Sequence, residues 1–97
     1  MLSDSIPLDT SFVEGAQREP VSVLYGNWEV TFRQTTAATN AHGAHNPVLE
    51  VASNGKVIGY ITPYSGREFG AIAAHLLGGM PHIVPTVEDA LREIVNP

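Results

Sequence analysis

The chain has 97 residues, 43% of them hydrophobic and only 15% charged, with ten acids against five bases and no cysteine. That length suits one domain around a single core, and the lack of cysteine excludes both a disulfide framework and a thiolate centre. The formal net charge is −5 and the bases Arg18, Arg33, Lys56, Arg67 and Arg92 are dispersed, which argues against nucleic acid, whose phosphates demand a concentrated positive face.

The opening, MLSDSIPLD, has neither the basic n-region nor the apolar h-region of a secretory signal, and no apolar run reaches membrane-spanning length. The expectation is a cytoplasmic protein that does not engage a membrane. Residues 1–20 contain Pro7 and Pro20 and no periodic pattern, so they are read as an extended N-terminal arm. A helical turn over residues 11–14 would let Phe12 and Val13 anchor it. Residues 21–97 are read as the single folded domain.

VSVLYGNWEVTFRQ, residues 21–34, alternates in its second half, with Trp28, Val30 and Phe32 on one face and Glu29, Thr31 and Arg33 on the other. That is the pattern of a half-buried strand. Gly26-Asn27 reads either as a bulge within one strand or as a tight turn between two, and the bulge keeps the simpler meander. The small, polar residues 35–46 that follow are long for a hairpin connection and are the natural candidate for a functional loop.

Asn54-Gly55 lies midway between two apolar, β-branched segments in PVLEVASNGKVIGYITP, the strongest short-range hairpin signal, because both residues accept the positive φ of a type I′ turn. A regular two-residue hairpin sets Ala52 opposite Val57, Val51 opposite Ile58, Leu49 opposite Tyr60 and Val48 opposite Ile61. Both faces are then apolar, interrupted only by Glu50 opposite Gly59. Ser65 caps an expected helix whose Phe69, Ile72, Ala73 and Leu76 fall at helical spacing, closed by Gly78-Gly79. Thr86 starts a second helix, with Asp89 placed for a capping box and Val87, Ala90, Leu91 and Ile94 as its buried stripe. The fold class expected is α+β: a three-stranded antiparallel meander packed against two C-terminal helices, with the extended arm in front.

No catalytic residue and no cofactor is predicted. His42 and His45 have the spacing of a metal-ligand pair, but a zinc site needs further converging ligands that the sequence does not specify. His75 with Glu68 could form a base and its orienter. Ser65, in Tyr64-Ser65-Gly66, lacks the preceding glycine of a nucleophile elbow and is explained by capping. Gly78-Gly79 follows a helix pattern instead of preceding one and is no phosphate cradle.

With so few charges, some apolar surface is expected to be covered, either by a partner or by a second layer of the same chain. The leading expectation is a small non-catalytic interaction module that self-associates through an apolar sheet face made by Val48, Val57, Ile61, Trp28 and Tyr60. Its partner would be a second copy or, for an accessory protein of a bacterium or phage, a host protein. Nucleic-acid binding through the sheet and the 35–46 loop, with Arg33, Lys56 and Arg67, is the alternative against which the charge speaks. A histidine-based metal site or small enzyme using His42, His45, His75 or His82 with Glu50 or Glu68 is the third.

Overall fold

Two tight turns organise the first four strands. Gly26 has φ of 63° while Asn27 does not have positive φ, the signature of a type II′ turn, and it joins β1 (Val21–Tyr25) to β2 (Trp28–Gln34). Asn54 and Gly55 have φ of 55° and 75°, the pair of positive values a type I′ turn requires, and they join β3 (Leu49–Ser53) to β4 (Lys56–Pro63). The computed structural model describes residues 6–35, 48–64, 68–76 and 80–95. The remaining elements are α1 (Thr10–Arg18), β5 (Phe69–Ala73), a 3-10 turn (Ala74–Leu76), β6 (His82–Val84) and α2 (Val87–Val95).

The strands form one antiparallel six-stranded sheet in chain order, β1 to β6, curled into a half-barrel. This corrects the three-stranded meander expected from the sequence. Gly26-Asn27 is a turn and not a bulge, so Val21–Tyr25 is a strand of its own, paired with β2 from Val21↔Phe32 to Tyr25↔Trp28. The expected first C-terminal helix is β5, paired with β4 on one side and β6 on the other. All five β5 residues are buried, so Phe69, Ile72 and Ala73 match helical spacing by coincidence; a short apolar run buried on both faces carries no periodicity of its own. Ser65 and Gly78-Gly79, the expected boundaries of that helix, lie outside the described residues.

The extended arm is also corrected. Asp9 caps α1 by accepting from the Phe12 amide at 3.0 Å, and Pro20 follows the helix where it cannot disturb it. Upstream, Leu8 N donates to Pro85 O at 3.0 Å and Val87 N to Ile6 O at 2.9 Å, stitching residues 6–8 to the start of α2. Leu8, Val13 and Ala16 are core residues.

Both helices pack on one face of the sheet, α1 against β2 and β3, α2 against β4, β5 and β6. That face contributes Val30, Phe32, Leu49, Val51, Ile61, Phe69, Ala71 and Val84, which meet Val13 and Ala16 of α1 and Val87, Ala90, Leu91 and Ile94 of α2. Thr86 caps α2 by accepting from the Asp89 amide at 3.1 Å, whereas the Asp89 carboxylate turns outward to Arg92, so the capping box is half made. No helix among the described residues is long and apolar enough to cross a membrane.

The opposite face is more polar. There Arg33 is paired across the strands with Glu50, and its Nε donates to Glu50 Oε2 at 2.6 Å; the Glu50 side chain is 5% exposed and that of Arg33 40%. Removing the guanidinium strips a charge-assisted bond from a buried carboxylate, while the open side of the pair allows water to replace part of it. Arg33→Met should therefore cost about 1–3 kcal/mol in urea unfolding, with Arg33→Lys in between. Equal stability of Arg33→Met and the native chain would refute this account.

Candidate binding site

The β3–β4 hairpin departs from its expected register. Ala52 faces Val57, as the turn dictates, but Val51 then faces Gly59, Glu50 faces Tyr60 and Leu49 faces Ile61. Ile58 is the extra residue of a β-bulge. In a regular strand, neighbouring side chains point to opposite faces. A bulge re-aims them, and here Lys56, Val57 and Ile58 all line one cavity.

That cavity, of about 470 Å³, lies where the β1–β2 and β3–β4 turns, the exit of β5 and the C-terminal end of α2 come together. Its wall consists of Trp28, Lys56, Val57, Ile58, Ala74, His75, Ile94 and Val95. Ile94 reaches it because Gly59 leaves room: a Cβ on Gly59 would stand 2.7 Å from both Ile94 Cγ atoms. Trp28 opens the β2 strand directly after its turn and is 45% exposed. The volume is that of a small-molecule site, and the lining is mostly apolar with Lys56 and His75 as its polar groups.

The five sequence-predicted contact residues are dispersed. Trp28 and Val57 share the cavity. Tyr60 is half-buried on the face away from the helices, beside Glu50 and Ile72. Val48 is half-buried and packs against the core. Ile61 is 0% exposed beneath the helices, where no partner can reach it without unfolding the layer above. His42 and His45 lie outside the described residues, and no group of three or more metal-ligating side chains occurs among those described. His82 Nδ1 is 3.3 Å from Glu93 Oε1, joining β6 to α2, and His75 stands on the cavity wall rather than beside Glu68.

Two features depart from the preferred sequence reading. Val21–Tyr25 is a separate edge strand, the outcome that the tight-turn alternative at Gly26-Asn27 allows, and Ile58, His75, Ile94 and Val95 meet at one cavity. The apolar, uncharged composition of VSVLY was the available signal for the first. Nothing local announces the second, since its residues come from three separate elements. No family model, curated protein or solved structure matches this chain.

Proposed function

We propose that this chain is a small non-catalytic protein–protein interaction module that self-associates, with β1 as its docking edge. The observation that supports this reading is the contrast between the two ends of the sheet. The β6 edge is guarded: it is three residues long and bracketed by Pro81 and Pro85, both devices that blunt an edge. The β1 edge is less protected, with a proline, Pro20, on one side only. It spans five residues, Val-Ser-Val-Leu-Tyr, without charge, proline or bulge, and among the described residues it pairs with β2 alone.

Tyr25 and Trp28 flank a two-residue turn, so Val21, Val23 and Tyr25 bond to β2 and the N–H and C=O groups of Ser22 and Leu24 point away from it. A second β1, antiparallel and centred on Val23, sets Ser22 against Leu24 of the other copy and satisfies those groups on both chains. Such two-fold contacts are self-complementary. Leu24, 68% exposed, would be covered. A single strand pair buries less than the ~800 Å² per partner of a standard stable interface, so the dimer should form in the micromolar range.

Light scattering coupled to size exclusion, run over a concentration series, should show a monomer–dimer equilibrium. Leu24→Pro removes an outward-facing N–H while sparing the ladder to β2, a position where edge strands tolerate proline, and should leave a monomer with unchanged circular dichroism. A native chain that stays monomeric at high micromolar concentration would overturn self-association.

A further inference from the structure

We infer that the cavity at the hairpin end is a binding site for a small apolar carboxylate, with the hydrocarbon part on Val57, Ile58, Ile94 and Val95 and the anionic head at Lys56. Charge complementarity carries the choice of ligand. The chain has ten acids and five bases, yet none of the residues lining the cavity is acidic, while Lys56 and His75 both stand on its wall. Among the described residues, Arg33 is committed to Glu50 and Arg92 to Glu88 and Asp89, whereas Lys56 makes no ion pair. An ammonium at the rim of a low-dielectric, apolar hollow attracts an anion more strongly than one on open surface. A lysine stem also packs along apolar surface while its head stays free to meet the ligand.

The hollow, about 470 Å³ and open to solvent on one side, is large enough to seat a small ligand. A bare hydrocarbon would find the floor but leave Lys56 unused. A polyanion would have one cation to meet and would forfeit the apolar floor. A single carboxylate on an apolar body uses both. The Ile58 bulge breaks the regular alternation at this strand end, and Lys56, Val57 and Ile58 all line the cavity, so one strand end brings the cation together with two apolar residues.

Trp28 is the only tryptophan of the chain and is part of the cavity wall, so its emission reports occupancy directly, in monomer or dimer. Titration of the full chain with octanoate should give a saturable change in Trp28 fluorescence. Octanol should bind about 10-fold more weakly, since it cannot form the charge-assisted contact. Lys56→Gln, a change at an exposed position, should bring octanoate down to the level of octanol without altering thermal unfolding. Amide shifts in a ¹⁵N spectrum should concentrate on residues 56–58, 74–75 and 94–95. Absence of saturation, equal binding of octanoate and octanol by the native chain, or shifts centred elsewhere would each overturn the assignment.

Discussion

Phe32→Ala is expected to lower stability by about 3–5 kcal/mol, the range for emptying an aromatic site in a packed core. Phe32 is fully buried in the middle of β2, opposite Val51 on one side and Val21 on the other. Its ring meets that of Phe12 edge to face, with centroids 5.3 Å apart and planes at 84°, an arrangement that adds about 0.5–1.5 kcal/mol beyond the area buried. Because Phe12 belongs to α1, the substitution also loosens that helix from the sheet. Domains of this size have roughly 5–15 kcal/mol in total, so the variant should unfold at least ~12 °C below the native chain by calorimetry. Phe32→Leu fills most of the space but loses the ring contact, and should fall well short of the alanine effect. A loss under about 1 kcal/mol for Phe32→Ala would mean that α1 does not rest on this ring.

Gly59→Ala is the second large effect, and it arises from crowding. The added Cβ would stand 2.7 Å from Ile94 Cγ1, 2.7 Å from Cγ2 and 2.8 Å from Cδ1, closer than real carbon atoms approach. Gly59 is buried between Val51 of β3 and Ala73 of β5, so the strand is held on both sides, and the Ile94 side chain or α2 with it must give way. The cost should be about 1–3 kcal/mol, even after the gain that alanine brings by restricting the unfolded chain. Ile94→Ala alone should cost about 2–5 kcal/mol through the space it vacates. The double variant removes the three nearest clashing atoms and refills part of that space. Its loss in chemical denaturation should therefore fall short of the sum of the single losses by about 0.5–3 kcal/mol. Strict additivity would show that the two positions do not meet.

The same contact shows where sequence reasoning stops. Asn54-Gly55 announced its turn because the requirement for consecutive positive φ is local and few residues meet it. The α2 stripe of Val87, Ala90, Leu91 and Ile94 was equally legible, since one helix with one buried face imprints its period on the residues themselves. Phe69–Ala73 imprints none, because α2 covers one of its faces and the other is buried as well. The bulge at Ile58 was invisible for a related reason. Val51–Gly59 pairing gains by placing a residue without a side chain beneath Ile94, some 35 positions on, and no pattern within the hairpin encodes that.

The cavity draws its wall from β2, β4, the 3-10 turn and α2, so its floor cannot be drawn from the hairpin alone, although Trp28 and Val57 are among the contact residues that the sequence suggests. Ile61 illustrates the opposite outcome: an apolar strand residue looks the same in sequence whether a partner or the chain's own helix covers it. Local chemistry by itself determined the second hairpin turn, the second helix and the dispersed, acidic charge. Tertiary packing alone decided the number of strands, which sheet face was filled from within, and which side chains meet at the cavity, because each depends on burial between elements distant in sequence.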